Sequence, residues 1–517
     1  MTAAGRPVAR VLGPVLAGAA LLAGPVLPAG PSLPGGPSLP GGGTARAAEI
    51  LQHSESVRTE ALYLRKPPPG AFDIRDDATN ADLWLETRAS WRRLEGSARL
   101  RVHRSGGIEG DDGEESLDRR YLTLRFPEVS VTAGNFYETF GNGLMLRTLE
   151  QRFVTLNRVD RAFNLDRNLD GVRVRAERGP VRFTALRGTL KSVETFGAGG
   201  SLPLPRGDRL WGGVGVVAAG PAEIGVAYLE HEIPAGERRQ REDLVSVRGA
   251  WNWNGLGGTV EVAGKRHLPD TPRGTARYAR LDGSWGRFGA SLEGKSYRNF
   301  VFDADELPSL VRTHESVLLN RATHVLLPDD ERGLQAEILY APDLSTTFTL
   351  NLAGSEGATS PRIFRETYLE ARTERDGLGA GRLGLDWARD LTKFPAVHDR
   401  WTGALELEAF VSDAGSVIAD LELQAVESRI GDLTNQLLQL GYSRAGRWTL
   451  TLTGEHTTDT TQSRRDWLFA TLDVRLSQRH DLTLGYGSRP AGIVCSGGFC
   501  FLSPAFDGVE LRWLGRF

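Results

Sequence analysis

The last ten residues, Gly508-Val-Glu-Leu-Arg-Trp-Leu-Gly-Arg-Phe517, put the tightest limit on the fold. Val509, Leu511, Trp513, Gly515 and Phe517 share one face of an extended chain. Glu510, Arg512, Leu514 and Arg516 share the other. Such period-two alternation marks a strand with one apolar and one polar face. It runs to the final aromatic side chain. A bare apolar strand at the end of a soluble domain invites edge pairing. In a closed membrane barrel, lipid covers one face, water wets the other, and each edge has a partner. A soluble β-sandwich or solenoid is the competing architecture.

The rest of the chain repeats the pattern. Leu468, Ala470, Leu472, Val474 and Leu476 oppose Thr471, Asp473 and Arg475. Leu405, Leu407, Ala409 and Val411 oppose Glu406 and Glu408. Val417, Ala419, Leu421, Leu423 and Ala425 oppose Asp420, Glu422 and Gln424. Apolar residues suit lipid, and charges on the other face need a wet lumen. Trp401, Trp448, Trp467 and Trp513 lie near strand ends, where interfacial girdles belong.

Connections alternate too. Tight turns are expected at 177–180, 219–222, 252–255, 286–287, 342–343, 412–415, 445–446 and 478–481. Long polar loops are expected at 105–117, 232–241, 268–274, 299–330, 354–361, 391–400, 457–465 and 490–507. Short periplasmic turns with long extracellular loops are the plan of an outer-membrane barrel. Counting hairpins back from Phe517 to Asp82 gives about 23 strands. A periplasmic N-terminus then demands one more, placed at Glu60–Leu64. The expected fold is all-β, a single transmembrane antiparallel barrel of about 24 strands, with 20–26 allowed.

Net charge is −3, which implies no general attraction to nucleic acid. No stretch after the leader offers the ~18 consecutive apolar residues of a membrane helix. Arg6 and Arg10, the apolar run Val11–Leu27 and Ala45-Arg-Ala47 read as an export signal cleaved near residue 47. The organisation is thus a signal peptide (1–47), an N-terminal segment with the first strand (48–81) and a barrel (82–517). Cys495 and Cys500 are the only cysteines, and export favours a local disulfide between them.

The longest irregular region, Phe140 to Leu169, has two readings: a solvated outer loop, or a loop folded into the lumen as a constriction. Apolar residues are mixed with charges of both signs, which favours packing inside. Candidate pore-lining residues are Arg147, Glu150, Arg152, Arg161, Asp166, Arg167 and Asp170. A second inward candidate, 307–332, adds Asp329, Asp330 and Glu331. Asp166-Arg-Asn168-Leu-Asp170-Gly171 followed by Glu177 matches the EF-hand pattern. Val172–Ala176 alternates as a strand, which would carry Glu177 roughly 20 Å away. No metal site, cofactor or catalytic residue is therefore assigned.

The terminal residues Val509, Leu511, Trp513 and Phe517 resemble the signal by which the barrel-assembly machinery recognises outer-membrane barrels. Gly134-Asn-Phe-Tyr-Glu138, Phe140-Gly-Asn-Gly-Leu144, Asp170-Gly-Val-Arg-Val174, Leu319-Asn-Arg321, Asp329-Asp-Glu-Arg-Gly333 and Cys495-Ser-Gly-Gly-Phe-Cys500 resemble an uncharacterised family of bacterial outer-membrane barrels. That resemblance implies a barrel and carries over no activity.

The expected function is a porin-like channel for small polar solutes with an in-folded charged loop. The alternative is a non-conducting scaffold or secretion-associated barrel that binds partner proteins through its loops. A barrel enzyme acting on lipid would need a nucleophile–base set at the rim. No G-x-S-x-G is present and the histidines are scattered, so the chain is read as no enzyme.

Overall fold

The computed structural model describes residues 51–66, 74–108, 113–156, 159–196, 207–235, 238–266, 273–300, 307–325, 330–357, 363–393, 395–429, 431–496 and 499–517. The expected signal peptide lies outside them. So does Asp329.

The chain closes into one antiparallel barrel of 24 strands. Each wall strand pairs with the next in sequence, and the last, Phe506–Arg516, pairs with the first, Gln52–Leu64. Phe517 and Glu55 exchange backbone hydrogen bonds at 3.1 and 2.8 Å, which carries the ladder to the final residue. His480 stacks against Trp513, with ring centroids 5.7 Å apart. Closure leaves neither terminal strand with an open edge, which answers the problem the terminal sequence poses.

Alternation decides which face is which. Leu421 is 43% exposed, whereas its neighbour Glu422 is fully buried. Leu405, Leu407 and Leu423 are likewise exposed, while Glu406 and Asp420 point inward and are buried. The outer surface is apolar and the lumen polar, the inverse of a soluble barrel.

Tight turns gather at one end. Asn254 and Gly255 take φ of 51° and 81°. Two left-handed residues make the turn type whose twist matches paired strands.

Several expectations need correction. The first strand is Gln52–Leu64, longer than the five residues expected, and the second begins at Ile74, ahead of Asp82. The expected loop at 232–241 is mostly strand, because Ala222–Ala235 and Arg238–Trp253 run on almost to meet. A further tight turn at 376–378 separates Ile363–Arg375 from Gly379–Asp390.

Leu421 sits mid-strand on the lipid-type face. Leu421→Arg is expected to cost ~2–4 kcal/mol of folding into bilayers, as cations do near the midplane. Denaturant titration of the barrel in lipid vesicles checks this. An unchanged midpoint would mean that this face is not in lipid.

Candidate functional site

The lumen is crossed by two inward segments, and the first arises from an interrupted wall strand. Val129–Phe136 pairs with the 169–176 part of Val159–Arg178. The chain then turns inward and returns as Leu149–Leu156, which pairs with the other half of the same partner. Residues 137–148 are a detour between two halves of one wall position. Its neck is closed by Thr148, whose N–H donates to the Glu138 carbonyl at 3.0 Å and whose hydroxyl accepts from the Glu138 N–H at 2.7 Å.

The detour ends in a small hairpin, Thr139–Phe140 against Leu146–Arg147. Phe140, Leu144, Met145 and Leu146 are fully buried. They pack on luminal Leu186, Leu229, Leu244, Tyr278 and Tyr297 and on Phe300. The tip docks on a carboxylate. The Asn142 N–H donates to Glu261 Oε2 at 2.6 Å. Gly141 has φ +60°, and a Cβ there would lie 2.4 Å from the same oxygen. Glycine allows both the turn and the approach.

Beside the detour lies a buried ion cluster. Arg99 reaches Glu150 at 2.7 Å, and Glu86 and Asp166 at 3.1 Å. Arg119 reaches Glu150 at 2.9 Å and also pairs with Glu86. The Tyr137 hydroxyl donates to Asp166 at 2.8 Å. The cluster links four wall strands to both ends of the detour. Removing one partner from such a cluster costs ~3–5 kcal/mol, because a charge is left buried alone.

The second inward segment, 307–325, carries a short helix, Val317–Arg321. Both oxygens of buried Glu422 accept from its first turn, Val317 N–H and Leu318 N–H, each at 2.7 Å. Arg321 pairs with Glu455 at 2.9 Å, Arg382 with Glu315 at 3.2 Å, and Arg312 with Glu337 at 2.5 Å. The disulfide Cys495–Cys500 closes a hairpin, Gly492–Ser496 with Phe499–Ser503, that touches this helix. Asn320 accepts from the Cys495 N–H at 2.7 Å and donates to its carbonyl at 2.8 Å. Val317, Leu318 and Val494 then pack with Leu165 and Leu437, which stand on the sixth and twentieth wall strands. In a ring of 24, those strands are nearly opposite, so the segments bridge the lumen.

The candidate residues divide among these features. Glu150 and Asp166 meet in the Arg99 cluster. Asp170 stands apart, with Lys191 at 2.8 Å and Arg120 at 3.4 Å. Arg147 is half-buried on the hairpin, and Arg167 is half-buried on its strand. Glu331 is buried with Lys295 at 2.5 Å and His324 at 3.4 Å, while Asp330 opens the same strand and is half-buried. The side chains of Arg152 and Arg161 lie outside the described residues. The anchors Glu261 and Glu422 were not singled out from sequence. Each is one polar residue among many at inward positions, and only the segment docked on it sets it apart.

Cavities open at the short-turn end. One of about 600 Å³ is lined by four arginines and four carboxylates. Another, about 460 Å³, has six arginines and three carboxylates. A third, about 270 Å³, has five arginines and one carboxylate.

Residues 107–353 and 402–517 match a family of unknown function, DUF6029, over well more than half the chain. The chain belongs to that family. No curated protein matches it. Its fold is similar to that of a chain in the E. coli P pilus tip assembly intermediate PapC-PapD-PapK-PapG, at a TM-score of 0.50 and 10% identity. That match covers 90% of this chain and 60% of the other, so this chain spans about 60% of that length. The P pilus usher (PapC) translocation pore matches at a TM-score of 0.38 and 9% identity, over 90% of this chain and 99% of that one. Pseudomonas aeruginosa OpdK with vanillate matches at 0.39 and 12%, over 72% and 98%. At such identities the likeness speaks to fold alone.

Two outcomes test the anchoring of the inward segments. Gly141→Ala places a methyl against the Glu261 carboxylate and should displace the hairpin tip. Faster proteolysis between 139 and 147 than in the wild type checks it, and equal rates would refute the docking. The second concerns His324, which lies between Asp390 at 3.1 Å and Glu331 at 3.4 Å. Burial opposes its charged form, but the two carboxylates outweigh burial and hold its pKa above the ordinary histidine value. The folded state therefore binds the proton more tightly. That stabilisation is full below about pH 6.5 and is lost as pH rises through the raised value. Unfolding midpoints should fall across that window in the wild type and less so in His324→Gln.

Proposed function

We propose that this barrel resides in the bacterial outer membrane, reached through the export signal at 1–47 and the barrel-assembly machinery. There it acts as a narrow channel for small polar solutes, with a preference for anions. One observation carries the reading: built segments occupy the lumen, while polar cavities remain at the short-turn end, two of them richer in arginine than in carboxylate. Fixed charge lining a passage sets which ions enter. Arg147 and Arg167 on and beside the detour would extend that field into the lumen, balanced by Glu150, Asp166, Asp170, Asp330 and Glu331. The scaffold reading takes the same bridge across the lumen as a seal.

Single-channel recording of the refolded barrel in a planar bilayer separates the two. A small, steady conductance with an anion-selective reversal potential is expected. Arg444, Arg447 and Arg475 line one cavity. Replacing all three by Gln should move the permeability ratio toward unity with the barrel intact. A barrel that folds and inserts yet never conducts would sink the channel and leave partner binding.

A further inference from the structure

The second inward segment meets the wall at a group of atoms that nothing in the described structure satisfies. His314 comes from the segment, Glu366 from Ile363–Arg375 and Asp386 from the neighbouring Gly379–Asp390. All three are at most 2% exposed. One ligand atom from each lies within 4.8 Å of the others. Neither ring nitrogen of His314 has a hydrogen-bond partner, nor does Glu366 Oε2 or Asp386 Oδ1. A buried polar atom without a partner is costly, more so when it is charged. Three such atoms, one from each side chain, meet in one place and call for an occupant.

We propose that His314, Glu366 and Asp386 bind a divalent ion of the zinc class, which fastens the luminal segment to the barrel wall. The donor set suits it. One imidazole nitrogen and two carboxylate oxygens leave a fourth tetrahedral position for water. An imidazole with so few oxygens disfavours magnesium and calcium, which need six or more oxygen-type ligands or retained water. Arg400 supplies the outer support that ligating carboxylates need. Its Nη2 donates to Glu366 Oε1 at 3.1 Å and to Asp386 Oδ2 at 2.9 Å, and its Nη1 donates to the Ala322 carbonyl at 2.8 Å. It occupies one oxygen of each carboxylate and leaves the other free. The ring of Tyr368 packs edge-on against His314, with centroids 4.5 Å apart, and holds its orientation.

A protonated His314 paired with Glu366 is the simpler account. Nε2 lies 3.6 Å from Glu366 Oε2, beyond a good hydrogen bond. It would also leave Asp386 Oδ1 unmatched. An ion satisfies all three side chains at once. This site is independent of whether the barrel conducts.

The test uses the full-length barrel purified without a histidine tag, stripped with chelator and then equilibrated with micromolar Zn²⁺. After gel filtration, one zinc per chain is expected in the wild type by elemental mass spectrometry. His314→Gln and Glu366→Gln should each lose it while keeping the fast-migrating folded band in unheated gels. X-ray absorption of the zinc-loaded wild type, which needs no variant, should show one imidazole and otherwise oxygen ligands. A wild type that retains no zinc, an ion retained equally by both variants, or two or more imidazoles per zinc would each overturn the proposal.

Discussion

A barrel whose outside is apolar must carry its charges inside, and a charge inside must be matched. That constraint organises the molecule. Period-two alternation makes one face of every strand luminal, so Glu261, Glu366, Glu406 and Glu422 are turned away from the outer surface. In an open lumen, water would solvate them. Here the lumen is occupied, and each must be answered by the occupying chain or by a neighbour. Glu261 takes the N–H of Asn142 and Glu422 takes two N–H groups of a helix. The carboxylates that solubilise an empty barrel serve as docking posts in a filled one. A buried charge matched by oriented donors tolerates little displacement, because the alternative is an unsatisfied ion in a low-dielectric site.

The wall was legible in the sequence and its contents only in part. Alternation at 405–411, 417–425, 468–476 and 509–517 assigns faces correctly, because a strand's side-chain period follows from its geometry alone. The count of 24 followed from where turns fall and from closure. Strand ends were harder to place. Polar residues above the membrane continue the ladder as readily as they form a loop, so 232–235 and 238–241 looked like connection and are strand. The inward segments were recognisable as unusual, since Phe140, Leu144 and Phe153 sit oddly among charges. Their docking partners were not, because a contact such as Gly141 with Glu261 joins residues far apart in sequence. Neither reading of 140–169 was right as a whole. Residues 137–148 are inside, and 149–156 and 159–169 extend the wall.

That division has a physical cause. A strand can leave the sheet only if its backbone groups find other partners. At 137–148 they do, through the Glu138–Thr148 neck and the small hairpin, and Val159–Arg178 keeps the ladder continuous by pairing with both halves of the interrupted strand. On the other side, the Arg120 N–H donates at 2.7 Å to the side chain of Asn135 in place of a strand carbonyl. Asn135 in turn donates to Asn168 at 2.8 Å, and Asn168 to Asp166 at 2.9 Å. A short chain of side-chain amides thus closes the wall where backbone pairing gives way. Asn135 and Asp170 belong to the stretches that carried the family resemblance, and their placement at this junction gives that sequence signature a structural reason.

The two inward segments are held differently, which bears on how the lumen could change. The hairpin is held mainly by apolar burial against several consecutive strands, with one carboxylate at its tip. Apolar packing of that extent is insensitive to pH and salt. The 307–325 segment shares that apolar cluster through Leu307 and Leu310 and packs Val317 and Leu318 in a second, and charge adds to this. Glu422, Glu455, Glu337 and Arg382 grip it along its length, Lys295 donates to the Ser309 carbonyl near its start, and its own His324 pairs with Asp390 near its end. Such contacts weaken with protonation and ionic strength unless they are deeply buried. Glu422, Glu455 and Arg382 are themselves buried, so salt acts first on the half-buried Arg312–Glu337 pair and leaves the docked helix and the hairpin in place.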